Sequence, residues 1–339
     1  YNILNHIKQY GELLSIYEIQ SIEGLNQRTI DRILPYVFVS SALHKRQTNL
    51  NDIVKNGKHQ TFIRYSRVLQ EQVGYSPISD EEYALKPNSR YLGSPDRIYT
   101  RHRFTWYNSL SIGFTAEKDP GEEFFRGTQK QGFDFYSAHF WMKDIGPLKT
   151  LAIGDYQLYF GQGLGLWTGL GFGKSIEISS MKKTGRGIMP YTSVDENKFL
   201  RGAAASYEFK NFELFGFYSQ KNIDANLISE GDSIDSEEFY VTSLTATGFH
   251  RTPNELAKKN VLEEKLYGSR IEYKSNFFQI GATAYIMAFE HSLSRNLSHY
   301  NKFEFNSNQL GIVSADYNYI TRNLNLFGEV ARSDNGGLA

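Results

Sequence analysis

The sequence predicts an all-β transmembrane fold: an up-and-down antiparallel barrel, incomplete in this chain, with a small α-helical module at its N-terminus. Three observations predict it. Side-chain polarity alternates with period two through much of the chain. The links between alternating stretches are short and long by turns, as in outer-membrane barrels with periplasmic turns and external loops. No run of 18 apolar residues is present to make a transmembrane helix.

Composition agrees. The 339 residues include 23 Tyr and 24 Phe but only 8 Pro, which suits a chain made mostly of strands. Basic and acidic residues balance at 37 each, so no global field draws the chain to nucleic acid. There is no cysteine, which excludes disulfides and thiolate metal sites and fits an oxidising cell envelope. The chain opens "YNILNHIKQY", without Met or signal peptide, and so reads as a processed or excised piece.

Residues 1–45 are expected to be helical. Leu13, Leu14, Ile16, Ile19 and Ile22 fall near helical spacing, "EGLN" breaks the pattern, and Ile30, Ile33 and Leu34 resume it before Pro35. The result is a helical hairpin with a tight Gly-containing turn. Residues 46–339 are expected to supply the barrel strands, with period two from about residue 60.

In "RIYTRHRFTWY", Arg97, Arg101, Arg103 and Thr105 oppose Ile98, Phe104 and Trp106. "SLSIGFTAE" sets Leu110, Ile112, Phe114 and Ala116 against polar or small residues. "LYGSRIEYK" sets Tyr267, Ile271 and Tyr273 against Gly268, Arg270, Glu272 and Lys274. The segments "FFQIGATAYIMA" and "VSADYNY" alternate likewise, whereas 133–142 and 148–158 alternate poorly.

Short links are expected near Asn108, 145–147, 210–211, 274–276 and 320–321, and long ones at 71–96, 118–131, 160–199, 222–262 and 289–307. This sorting makes the first strand run outward and leaves the helical hairpin in the periplasm. About eleven strands result, whereas bacterial barrels close on an even number. "RSDNGGLA" reads as the start of a further long loop, so the barrel is expected to continue beyond Ala339.

The stretch 161–175, "GQGLGLWTGLGFGKS", ends like a phosphate-binding loop, but the required first Gly falls on Thr168. A dinucleotide fingerprint from Gly163 and Gly165 fails at the same residue. No nucleotide is expected. Gly169, Gly171, Gly173 and Lys174 are assigned instead to a loop tucked into the barrel mouth, where Gly permits tight folding.

Two parts of the chain carry a resemblance. "LLSIYEIQSIEGLNQRTIDRILPYV" resembles the helix-hairpin-helix module of competence-type DNA-binding proteins. That resemblance implies phosphate contact by the hairpin Gly24-Leu25-Asn26 with Gln27, Arg28 and Arg32, though Asn26 replaces the second Gly and Ile30 the usual small residue. "TAEKDPGEEFFRG", "GFDFYSAHF", "GDYQLYFGQGLGLWTGLGFGKS" and "PYTSVDENKFLRGAA" resemble Bacteroidota outer-membrane proteins that pair such a segment with a large barrel. Nearly the whole chain is covered, and the resemblance implies fold and location more than activity.

Each candidate site has a plain alternative. Glu23 and Asp31 blunt the hairpin's charge, so it also reads as a structural docking module. Arg97, Arg101 and Arg103 read as a basic lumen stripe or as a polar interior balanced by carboxylates. "EKDPGEE" (Glu117, Asp119, Glu122, Glu123) and "GDSIDSEE" read as solvated external loops rather than cation sites. Lys182, Lys183 and Arg186 read as a lipid-phosphate contact or a solvated loop. No catalytic constellation, metal site or cofactor site emerges, and no enzyme is expected. Two functions fit: a channel or DNA-uptake port in outer-membrane lipid, or a structural barrel whose hairpin docks another envelope protein.

Overall fold

The computed structural model describes residues 2–10, 16–33, 50–171, 181–230, 238–295, 299–302, 304–321 and 324–339. It divides into two compact units, Tyr1–Asn56 and Gly57–Ala339.

In the first unit, α1 (Asn2–Tyr10), a 3-10 turn (Ile16–Ser21) and α2 (Gln27–Ile33) enclose a small core of Ile19, Ile22 and Ile30. Gly24, at φ +85, reverses the chain between the turn and α2. A third helix, α3 (Leu50–Asn56), belongs to the same unit and precedes the strands, which were expected from about residue 60. Leu13, Leu14, Leu34 and Pro35 lie outside the described residues.

The second unit begins with β1 (Lys58–Arg67), followed by the short helix α4 (Asp80–Leu85) in the first long connection. Next come β2 (Asp96–Trp106), β3 (Leu110–Lys118), β4 (Phe135–Ile145), β5 (Leu148–Tyr159) and β6 (Gly187–Pro190). Then follow β7 (Leu200–Phe209), β8 (Phe212–Ile223), β9 (Ala225–Glu230) and β10 (Glu238–Leu244). The single-turn helix α5 (Pro253–Leu256) precedes β11 (Leu262–Lys274), β12 (Phe278–Phe289), β13 (Ser292–Leu293), β14 (Gln309–Thr321) and β15 (Leu324–Ser333).

Eleven of these strands form one antiparallel path, β1-β2-β3-β4-β5-β7-β8-β11-β12-β14-β15, with β6 paired on β5. Every neighbour on the path is the next long strand in sequence, so the topology is up-and-down. Links of two or three residues (107–109, 146–147, 210–211, 275–277, 322–323) alternate with long ones (68–95, 119–134, 160–199, 224–261, 290–308). In two long connections, β9, β10 and β13 make a separate three-stranded sheet around Ala225, Val241, Leu262, Phe289 and Leu293. The path does not join β1 to β15 among the described residues.

The faces of the large sheet are inverted relative to a soluble sandwich. One cross-strand row reads Arg270↔Thr283↔Ser314↔Ala331, and all four side chains are buried. The adjacent row reads Ile271↔Ala282↔Ala315↔Val330, with Ile271 46% and Val330 50% exposed. Across these four strands the inward row is mainly polar and the outward row apolar, the arrangement that lipid demands of a barrel wall. No described helix is long and apolar enough to cross a membrane.

The sheet curls around its polar face. Five strands separate β5 from β15, which would hold them roughly 29 Å apart in a flat sheet. Yet Gln162, three residues beyond β5, donates its backbone N–H to Glu329 of β15 at 2.8 Å.

Candidate functional site

The described parts of the connection between β5 and β6, residues 160–171 and 181–186, lie on the concave side. Its apolar residues Phe160 and Leu166, with Ile188 of β6, pack on Trp141, Tyr156, Leu158, Phe215 and Phe217 of the wall. Its glycine-rich start wraps one carboxylate. Glu329 accepts from the backbone N–H groups of Gln162 (2.8 Å), Leu164 (2.9 Å) and Gly165 (3.0 Å). Gly161 (φ +54) and Gly163 (φ +79) supply the left-handed turns that point successive amides at one anion, a backbone nest. Tyr285 donates its hydroxyl to the Gly165 carbonyl at 2.8 Å and fastens the far side.

Behind this loop lies a cavity of about 330 Å³. Among the described residues, seven cations line it: Lys143, Lys149, Lys182, Lys183, Arg186, Arg270 and Lys274. The three carboxylates that line it, Glu213, Glu272 and Asp316, are already held by wall cations. Lys274 pairs with Glu213 (2.8 Å) and Glu272 (3.4 Å), and Arg270 pairs with Asp316 (2.5 Å). Lys149 is held outside the cavity's acids by Asp144 and Glu208. Lys143, Lys182, Lys183 and Arg186 pair with no carboxylate among the described residues. Each sits instead over an aromatic ring: Trp141, Phe327, Trp167 and Tyr159 respectively. The rings hold the stems without cancelling the charge.

The predicted site residues distribute as follows. Lys182, Lys183 and Arg186, expected to meet lipid phosphate or solvent, line the inner cavity instead, because their loop folds inward. Arg97, Arg101 and Arg103 share the inward face of β2, where Arg101 lies opposite Thr115 and Arg103 opposite Gly113 of β3. Arg97 binds Glu117 at 2.8 Å and Asp119 at 3.1 Å, and Arg103 reaches Gln60 at 3.1 Å. The stripe is therefore partly neutralised, and it does not line the cationic cavity.

Gly169 and Gly171 lie in the inward loop, but neither has a positive φ. A Cβ on Gly169 would run into the Tyr159 ring, whereas one on Gly171 meets only Lys183 Nζ at 3.9 Å. Close approach at Gly169, not left-handed backbone, is the constraint. Gly173 and Lys174 lie outside the described residues.

In the helical hairpin, Gly24, Leu25, Asn26 and Gln27 form the turn into α2, with Arg28 and Arg32 exposed on that helix. The Asn26 side-chain oxygen already accepts from the Thr29 backbone N–H at 2.9 Å and its hydroxyl at 2.8 Å. One of the amides a phosphate would use is thereby taken.

The acidic stretch at 117–123 is not solvated as expected: Glu117 and Glu122 are 4% and 2% exposed. Glu117 lies on β3 against Arg97, whereas Glu122 accepts the backbone N–H of His250 at 3.2 Å, a residue distant in sequence and invisible to local pattern. The His250 Nδ1 lies 2.5 Å from Asp134 and its Nε2 2.7 Å from Asp224, while Lys259 meets Asp134 at 2.5 Å. Glu122, Asp134 and His250 bring ligand-type atoms within 4.8 Å of one another, yet both ring nitrogens are already occupied by carboxylates. The set works as an ion-pair clasp between long connections. Of the "GDSIDSEE" stretch, residues 231–237 lie outside the described residues.

The clasp carries a pH dependence. Burial pulls the His250 imidazole down, but the hydrogen bonds and charges of Asp134 and Asp224 outweigh it and push the group up to about 10. Burial, with the charge of Asp134, raises Glu122 to about 7, and burial raises Glu196 to about 8. All three bind protons more tightly folded than unfolded. Their stabilisation is complete below the unfolded values of 6.5 for His and 4.5 for Glu. It is lost as pH rises, first through Glu122 and Glu196 and then through His250. Amide exchange in 119–123 and 248–252, corrected for intrinsic rate, should accelerate between pH 5 and 8, by up to about tenfold per pH unit for each proton released. Flat protection across that range would remove the clasp from the account.

No protein-family model and no curated protein matches the sequence. Among solved structures, the chain is similar to OmpT, an in-vitro folded outer-membrane protein of Vibrio cholerae in its trimer form. The match has a TM-score of 0.25 and 10% identity, over 83% of this chain and 80% of that one.

Proposed function

We propose that the chain forms the wall of an outer-membrane barrel that passes small solutes, anions ahead of cations. The inward segments 160–171 and 181–186 form its constriction, and the helical module stands on the periplasmic side. The observation that carries this reading is the cavity whose unpaired charges are all positive, enclosed by a sheet with its apolar face outward. The resemblance to Bacteroidota outer-membrane proteins supports the location. Ion passage is favoured over DNA uptake on two grounds. A cavity of about 330 Å³ is small-molecule sized, and Asn26 already uses a hairpin amide.

A second reading has its own support. The packing of Phe160, Leu166 and Ile188 against the wall fills part of the lumen, as in a barrel that serves only as a structural or docking element. One experiment separates the two. The purified protein is inserted into planar bilayers across a KCl gradient, and the reversal potential is read. Anion preference that falls several-fold in Lys182→Gln/Lys183→Gln/Arg186→Gln is the expected result. Absence of conductance supports the structural reading, and a cation preference removes the selectivity claim.

A further inference from the structure

The cavity's chemistry specifies more than a sign of charge. We infer that Lys182, Lys183, Arg186 and Lys143 form a binding site for small doubly charged oxyanions of the phosphate class. This rests on the reading of the lumen as a solute passage, and it names what the passage holds.

Four cations facing one confined space repel each other unless an anion joins them. Their own chain supplies none among the described residues, because Glu213, Glu272 and Asp316 are already engaged by Lys274 and Arg270. Glu329, beneath the same loop, is engaged by three of its backbone amides. One multivalent ion satisfies several of the four at once, whereas a chloride satisfies fewer and offers no directional acceptors. Lysine ammonium groups act as adaptable point donors, and the Arg186 guanidinium presents a planar fork matched to paired oxyanion oxygens.

The cations are positioned rather than loosely arrayed. Arg186 lies 4.2 Å from the Tyr159 ring centroid, Lys143 4.8 Å from Trp141 and Lys183 5.3 Å from Trp167. Lys182 is braced by a 2.7 Å hydrogen bond to the Asn318 side-chain oxygen. Ring and amide partners orient the donors and leave their charge available. The volume of about 330 Å³ admits an inorganic oxyanion or a small organic phosphate. A nucleic-acid strand does not fit.

The test uses the full chain in detergent micelles at constant ionic strength, with inorganic phosphate as the probe and calorimetry as the readout. Phosphate should bind, sulfate should compete, and chloride at equal ionic strength should not. Lys182→Gln/Lys183→Gln/Arg186→Gln should weaken phosphate binding by at least about tenfold. Lys182→Arg/Lys183→Arg should keep it within about threefold, since charge and donors remain. Lys143→Gln, on β4, should weaken binding with the loop untouched, which covers the case of a misfolded triple variant. Undiminished binding in the triple and Lys143 variants, or displacement by chloride as readily as by sulfate, overturns the site. Phosphate binding without bilayer conductance leaves the site and removes the passage. Anion-selective conductance without phosphate binding does the reverse.

Discussion

Asp316→Ala should destabilise the second unit by about 3–5 kcal/mol, the cost of leaving a buried cation without its partner. Arg270 is 3% exposed and Asp316 7%, so neither drains its charge into bulk water. The pair is bidentate: guanidinium to carboxylate distances are 2.5 and 3.0 Å, with a third bond to Thr283 at 2.9 Å. After the substitution the nearest remaining carboxylate is Glu272 at 3.9 Å, which Lys274 also claims. The Arg270 Nε already lacks a partner, so this guanidinium has little slack. Urea titration of the folded protein in micelles reads the loss. Arg270→Met/Asp316→Ala should recover part of it, because removing both charges costs less than stranding one. A single-variant loss under about 1 kcal/mol would mean that water reaches Arg270 and that the row is solvated.

The rows that make this argument were legible in sequence wherever the inner face meets only polar neighbours. β3, β11, β12 and β14 alternate cleanly because lipid-facing and lumen-facing positions carry opposite demands. β4 and β5 do not, and the structure gives the reason. Their inward residues Trp141, Ala152, Tyr156 and Leu158 pack against the inserted connection, so both faces of those strands are apolar. A weak alternation was thus the mark of the plug. Loop sorting survived because it depends on chain connectivity alone.

The site was legible only in pieces. Lys182, Lys183 and Arg186 stand out as a basic trio, but strand periodicity says nothing about whether a long connection folds in or out. Glu329 sits on the inward face of "LFGEVARS" and was passed over, since its partners lie more than 160 residues away. His250 gave no local signal at all. Its partners are 116 and 26 residues distant, and only the closed arrangement of the long connections brings them together. α3 was missed as well: seven residues are too few for a periodic signal to rise above the surrounding sequence.

Glu329→Gln should release the connection that narrows the lumen. The glycine-rich stretch beginning at Gly161 lacks the spacing of a phosphate loop, yet it cradles an anion, a side chain of the same chain. Its three amides converge on one carboxylate at 2.8–3.0 Å, and hydrogen bonds to a charged group contribute about 1.5–3 kcal/mol each. The amide side chain keeps one acceptor oxygen and turns an N–H₂ toward a backbone N–H, so at least one loop donor loses its partner. Exchange at Gln162, Leu164 and Gly165 should accelerate on the order of 10- to 100-fold, and conductance should rise and grow noisier. Glu329→Asp, which keeps the charge on a shorter stem, should fall between. The apolar anchor gives the contrary expectation a physical basis: if Phe160 and Leu166 hold the connection by themselves, exchange and conductance stay at the unsubstituted level. In that event Phe160→Ala, which removes the ring from Phe215 and Phe217, should open the lumen where Glu329→Gln did not. A closed lumen in both variants would assign the constriction to the wall itself and separate the loop from gating.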